Sequence, residues 1–245
     1  MEVFIHESYE ALSAQASSDV LSRMKSMEDP LLCVASGDTP AGLYKALVQK
    51  INNRQLEISS WSFVGLDEWM GMNGSDEGSC RFYVDRQLFR PLAIGEDQIC
   101  FFDGRSADAM AECERVEEFI RRKNNIDVAI LGLGMNGHIG MNEPGSSRLS
   151  RSCVAQLDPI TQQVGQKYFN NAQQLTEGLT LGIGTLLESK HIILLVNGSH
   201  KAGIVKRVME GDISEEIPAS LLRLHPSLSV YLDTAAASLL QPQQS

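Results

Sequence analysis

The chain has 245 residues, 43% of them hydrophobic, with 31 acidic against 21 basic side chains and a formal net charge of −10. That length and apolar content suit one large domain or two small ones with a substantial core. So acidic a chain repels nucleic acid and anionic membranes alike, which argues against both as partners while leaving a small anionic ligand open to a local positive pocket.

The elements alternate from end to end. Helices are expected over 8–27, 40–52, 79–89, 107–123, 201–209 and 235–240, and strands over 31–35, 63–66, 99–102, 128–133, 192–196 and 228–232. Most of the strand runs are short and continuously apolar, as in strands covered on both faces. The pattern predicts a single α/β domain over 1–245, a mostly parallel, Rossmann-like, doubly wound sheet sandwiched by helices. The stretch 157–178 breaks the rhythm, being rich in Gln, Asn and Thr with no clear period. It reads either as a surface connection or as a lid over a site. The last five residues, from Gln241, read as a polar, frayed tail. Five cysteines (Cys33, Cys80, Cys100, Cys113, Cys153), odd in number and never in a CxxC pair, form neither a disulfide framework nor a zinc site. With no signal peptide visible after Met1 and no apolar run near the roughly 18 residues of a membrane span, a soluble, cytoplasmic protein is expected.

Four segments carry groups that could do chemistry. Ser36-Gly37-Asp38-Thr39-Pro40 follows the strand over 31–35, with Pro40 at a first helical position and Thr39 as its expected N-cap. The free backbone N–H groups of such a turn bind phosphate or carboxylate. Asp67 and Glu68 close the next strand, and alternation sends them to different faces, one toward a substrate and the other toward the scaffold. Trp69 beside them implies a partly desolvated carboxylate of raised basicity.

The run from Leu131 to Gly145 sets His138, Glu143, Asn136 and Asn142 among closely spaced glycines, Gly137 included. His138 with Glu143 behind it makes an acid–base pair suited to neutral pH. Gly132 to Gly137 matches the GxGxxG spacing formally, but 138–144 does not read as the helix that a dinucleotide site needs. Finally, Asn197-Gly198-Ser199-His200-Lys201 repeats the strand–turn–helix plan, with Ser199 as the expected N-cap. Lys201 then lies in a first helical turn, unfavourable against the dipole unless an anion is bound. Two anion-binding turns in one acidic chain point to a phosphorylated metabolite.

These segments, in this order, resemble the glucosamine-6-phosphate deaminase family, also called glucosamine/galactosamine-6-phosphate isomerases. The likeness rests on Ser36 to Pro40, Gly65 to Trp69, Asn136 to Gly145, Gly198 to Ala202, Ile217 to Leu221 and Leu224-His225-Pro226. The group labelled galactosamine-6-phosphate deaminase/isomerase, with its DEW triplet and NGH core, is the nearest in appearance.

The resemblance implies conversion of a 2-amino-2-deoxy-hexose 6-phosphate and water to a ketohexose 6-phosphate and ammonia. His138 would open the pyranose ring, with Glu143 and Asn136 holding its state. Asp67 would move the proton from C2 to C1. Glu68 would support it, Ser36, Gly37, Thr39, Lys201 and Lys167 would hold the phosphate, and Glu68, Asp38 and Gly137 are expected among the substrate contacts. Because the C1 carbonyl acidifies the C2 proton, no cofactor and no metal are expected.

Three departures from the family bear on these roles. Asn136 stands where some members carry Asp, so a shifted pH optimum is expected. Asp38 adds negative charge beside the phosphate. Ser152-Cys153-Val154-Ala155 lacks the basic residues of allosteric members, so no activation by an amino-sugar phosphate is expected. The residues leave the C4 epimer open. They also leave open the assembly state, with monomer and homo-oligomer both found in the family. A 6-phosphogluconolactonase-type hydrolase and a non-catalytic sugar-phosphate sensor remain the rival readings.

Overall fold

Strand β2 (Leu31–Val34) shows how the sequence builds the sheet. All four residues are buried, with Leu31 and Cys33 in one apolar layer and Leu32 and Val34 in the other. A strand that hides both faces needs helices on both sides. In the computed structural model, which describes residues 1–241, β2 lies inside a seven-stranded sheet whose strands all pair in parallel. The order is β1 (Glu2–His6), β10 (Leu228–Asp233), β9 (His191–Val196), β6 (Val128–Gly132), β2, β3 (Ser62–Gly65) and β5 (Ile99–Cys100).

Helices α1 (Tyr9–Met24) and α2 (Asp38–Arg54) pack Leu12, Val20, Leu43 and Leu47 on one face. Helices α4 (Ala109–Arg122) and α7 (Ala202–Glu210) pack Val116, Ile120, Ile204 and Val205 on the other. Helix α1 starts where Ser8 accepts from Ala11 N, and α4 where Asp108 accepts from Met110 N and Ala111 N. Each side chain satisfies orphan donors of a first turn. The chain runs from β2 outward to β3 but from β6 the other way to β9, so the order reverses between β2 and β6. Ligands bind at such a reversal, beyond the carboxyl ends of the strands.

The expected single-domain, mostly parallel α/β sandwich is present, and all six predicted strands are there within a residue or two. The differences are instructive. Asp67 and Glu68 do not close β3. The chain bends at Leu66, and Asp67–Trp69 forms β4 of a second sheet, antiparallel to β8 (Glu177–Thr180), which in turn pairs with β7 (Cys153–Gln156). Helix α2 begins at Asp38 rather than Pro40, capped by Gly37 at φ 109° and not by Thr39. Ser199 does not cap either. It opens a 3-10 turn, Ser199–Lys201, ahead of α7.

The helix expected over 79–89 begins as α3 (Cys80–Val84) and widens into a π-helical turn, Asp85–Phe89. The stretch 157–178 is more ordered than its composition suggests, containing α5 (Pro159–Gly165), a 3-10 turn (Gln166–Tyr168) and the start of β8. The helix expected over 235–240 is instead a run of turns. Short helices α6 (Ile183–Leu187) and α8 (Pro218–Leu221) and the edge strand β1 were not anticipated. Residues 242–245 of the predicted tail lie outside the described residues. Among the described residues no helix is long and apolar enough to cross a membrane.

Candidate active site

At the reversal between β2 and β6 opens a cavity of about 600 Å³. The β2–α2 turn gives it Ser36 to Pro40, β4 gives Asp67 and Trp69, and the loop after β6 gives Gly132 to Met135 and His138. Asn197, His200 and Lys201 come from the end of β9 and the turn beyond it, and α5 with its 3-10 turn closes one side with Ile160, Thr161, Val164, Lys167 and Tyr168. The segment between β7 and β8 is thus a wall of the pocket and not a remote connection.

The two adjacent carboxylates separate as strand alternation requires. Asp67 lines the cavity with 9% of its surface exposed. Burial pushes its carboxyl up to about 6, against the lowering pull of the Cys80 thiol and the His138 ring. A carboxylate of that basicity is ionised at neutral pH yet can accept a proton from carbon. Glu68, expected among the substrate contacts, is turned away from the cavity. It is fully buried and accepts from Trp69 N and Cys80 N at 2.9 Å and from Arg81 N at 3.0 Å. Burial raises its carboxyl too, while the three N–H donors favour the charged form. It ties the first turn of α3 to β4 and so fixes the strand that carries Asp67.

The glycine-rich loop is built around the imidazole. A Cβ on Gly134 would stand 2.4 Å from the His138 ring, so only glycine admits the ring there. His138 Nδ1 lies 3.4 Å from Glu143 Oε2 and 3.0 Å from Thr161 Oγ1. A carboxylate only accepts, so Nδ1 carries a proton and Nε2 is left for the cavity. Burial alone would raise Glu143, but its hydrogen bonds and the charge of His138 outweigh this and hold its carboxyl below the usual range.

Asn136 does not touch the ring. Its Nδ2 donates to Glu143 Oε2 at 2.8 Å, and its Oδ1 accepts from His138 N at 3.2 Å, so it orients the carboxylate and the backbone instead. Asn142 is scaffold, donating to Ile139 O and Leu181 O. Gly137, expected at the ligand, lies off the cavity with its backbone against Gly134 O and Ala219 N. Its α-carbon faces Ile217.

The end of the cavity expected to take an anion is formed by the N-terminus of α2 and by Lys201. Thr39 Oγ1 donates to Asn197 Oδ1 at 3.1 Å, which joins the two strand–turn–helix units. Lys201 donates to Leu133 O, and burial, with Lys167 adding repulsion, lowers its ammonium to about 8. Asp38 does not face the cavity unpaired, since its Oδ2 meets Lys167 Nζ at 2.6 Å. The charge that Asp38 adds is balanced by a lysine of the wall segment, and the pair bridges α2 to that wall. Tyr168 stands over the same turn, its hydroxyl 3.1 Å from where a Cβ of Gly37 would be.

Sequence reasoning brought Asp67, His138, Ser36, Gly37, Asp38, Thr39, Lys167 and Lys201 to this one cavity, with Glu143 and Asn136 directly behind His138. It missed Cys80, Thr161, Tyr168 and Asn197. The signal for Asn197 was present in its Asn-Gly turn, whereas Thr161 sits in a polar stretch where no local pattern marks it.

The family described as glucosamine-6-phosphate isomerases/6-phosphogluconolactonase matches the chain over residues 7–230. A glucosamine-6-phosphate deaminase of Bacillus velezensis is 37% identical over 238 residues, spanning 97% of this chain and 99% of its own length. A solved structure of a monomeric glucosamine-6-phosphate deaminase superposes with a TM-score of 0.94 at 37% identity, covering 98% of this chain and all of its own. These names replace the expected nearness to the galactosamine-labelled group with glucosamine. A 6-phosphogluconolactonase of Trypanosoma brucei has a TM-score of 0.79 at 20% identity over 98% of each chain, a likeness of fold alone.

Proposed function

The chain belongs to the family of glucosamine-6-phosphate isomerases and 6-phosphogluconolactonases, and on that premise we propose that it deaminates and isomerises glucosamine 6-phosphate to a ketohexose 6-phosphate and ammonia. The observation that carries this reading is the pairing of a buried, basic Asp67 with a His138–Glu143 couple in a cavity whose far end is a helix N-terminus and a lysine. A lactone hydrolysis gives a buried carbon base nothing to do. The names of the relatives at 37% identity favour the glucosamine epimer.

The phosphate docks on the backbone N–H groups at Gly37 to Thr39, on Lys201 and on Lys167 once the latter leaves Asp38. His138 Nε2 takes the proton of the C1 hydroxyl and returns it to the ring oxygen. The C1–O5 bond breaks, C1=O1 forms, and Nδ1 keeps its proton against Glu143 throughout. The C1 carbonyl now acidifies C2–H, and Asp67 removes that proton to give an enolamine. Asp67 then delivers it to C1 while a proton of the C2 amine passes to O1, leaving a ketimine at C2 and a hydroxyl at C1. Water adds to this carbon, and the C–N bond breaks to release ammonia. Glu68 and Asn136 act at one remove, holding Asp67's strand and Glu143 respectively.

The solved relative described as monomeric, at 37% identity, supports reading this chain as a monomer. Five free cysteines and a phosphorylated substrate suit a cytoplasmic setting. The test is release of ammonia and ketose phosphate from glucosamine 6-phosphate and galactosamine 6-phosphate, assayed side by side. Turnover of the first supports the proposal. Turnover of neither overturns it in favour of a sugar-phosphate sensor.

A further inference from the structure

The general acid–base imidazole has a partner that comes from the wall segment and not from its own loop. Thr161 lies in α5, which Asp158 caps by accepting from Ile160 N at 2.8 Å. The helix is pinned from below because Gly165 packs on the Trp69 ring, where a Cβ would come within 2.9 Å of the indole. Phe169, just past the 3-10 turn, meets the same ring edge-on at 6.3 Å. Thr161 itself is buried at 7% exposure, with its hydroxyl 3.0 Å from His138 Nδ1 and near enough to Glu143 to help hold that carboxyl low.

The carboxylate, which only accepts, sets the orientation of the other two groups. The hydroxyl proton goes to Glu143, and a hydroxyl lone pair then faces the Nδ1 proton, which the carboxylate shares at 3.4 Å. The shorter contact belongs to threonine. Asn136, expected to hold the ring from its own loop, is spent on Glu143 and the backbone.

We propose that Thr161 is a positioning residue for His138, which fixes the Nδ1–H tautomer from α5 and makes the imidazole competent only when the wall segment is seated. The proposal rests on the deaminase reading for its consequence in catalysis and on geometry alone for its effect on the ring. With Nδ1–H held from behind, Nε2 presents a lone pair to the C1 hydroxyl. A ring free to exchange tautomers offers a proton there in part of the molecules, and ring opening stalls in those. The same segment carries Lys167, so seating it delivers a phosphate ligand and the correct tautomer together.

The test compares Thr161→Val, which keeps the shape and removes the hydroxyl, with Thr161→Ser, which keeps the hydroxyl. Nitrogen-15 shifts of the neutral His138 ring, read in unliganded protein, are expected to show mainly Nδ1–H in the wild type. They should show a clear rise of Nε2–H in the valine variant and restoration in the serine variant. In steady state the valine variant is expected to lose about tenfold in kcat with KM within about twofold, the size of one orienting hydrogen bond, and serine to recover most of it. An unchanged tautomer ratio in the valine variant overturns the proposal. So does a serine variant no better than valine, because a packing role favours the isosteric valine. If the wild type releases no ammonia from either amino-sugar phosphate, the deaminase reading fails, and the ring shifts still decide the role of Thr161.

Discussion

Replacing Asp67 with Asn should stabilise this protein at neutral pH while destroying its chemistry. The Asp67 carboxyl is raised from 3.8 to about 6 by burial. Across that gap, at roughly 1.4 kcal/mol per pH unit, holding the charge in the folded state costs about 3 kcal/mol. Asn keeps the size, drops the charge and can still accept from the Cys80 thiol. Part of the gain is offset by the amide's own loss of water, so a net stabilisation of about 1–3 kcal/mol is expected, or roughly 2–10 °C in Tm for a chain of this length.

The sign depends on pH in a defined way. Because the folded value lies above the unfolded one, the wild type's stabilisation from a neutral Asp67 is fully present below 3.8, declines as pH rises through 6 and is gone above it. The variant's advantage therefore opens between those values and is flat above neutrality. Urea unfolding of both proteins at about pH 7.5 and about pH 4.5 measures it as the change in the stability difference. A variant no more stable at the higher pH, or an advantage equal at both, would refute a desolvated carboxylate at this position.

Two further outcomes follow from the anion end of the cavity. Lys201, lowered to about 8 by burial and by Lys167, loses its charge as pH rises past that value. The KM for the sugar phosphate should therefore climb above about pH 8 in the wild type, while Lys201→Met starts high and stays flat; parallel profiles would count against a phosphate contact. Asp38 competes for Lys167 across an ion pair that is largely exposed, with side chains 75% and 48% accessible. Asp38→Asn should thus tighten inhibition by inorganic phosphate about two- to fivefold at low salt, the range of an exposed charge pair, and less at high salt. Unchanged or weaker inhibition would make the pair a purely structural tie.

How much could be read in advance depended on how local each signal was. The β2 core and the turn that follows it were legible because an apolar run followed by a small-residue turn constrains its own backbone. His138 was legible because so many glycines around one imidazole have few other uses, and Gly134 shows why one of them must be glycine. The bend at Leu66 was not, since Gly65 before it serves equally as the last residue of a continuous strand and does not by itself mark a change of sheet. What makes the bend is the pairing of β4 with β8, whose partner residues Leu179 and Thr180 lie far along the chain. The edge strand β1 was missed because only one of its sides meets another strand, and none of its residues is fully buried. Thr161 was illegible for a similar reason. Its meaning comes from the contact of α5 with Trp69 and His138, and a Gln- and Thr-rich stretch has the same composition whether it covers a catalytic ring or open water. The cap residues shifted by two positions at α2 because Gly37 can adopt a positive φ that Thr39 would resist.

The account stands on Asp67 as the base for the C2 proton, and exchange of that proton with solvent tests it most directly. Glucosamine 6-phosphate in deuterated water, followed by proton resonance at C2 and at C1 of the product, should show enzyme-dependent exchange with the wild type. With Asp67→Asn the exchange should be lost, while inorganic phosphate still binds with nearly unchanged affinity. Exchange that persists in the Asn variant would contradict the account and assign the carbon-acid step to another group in the cavity.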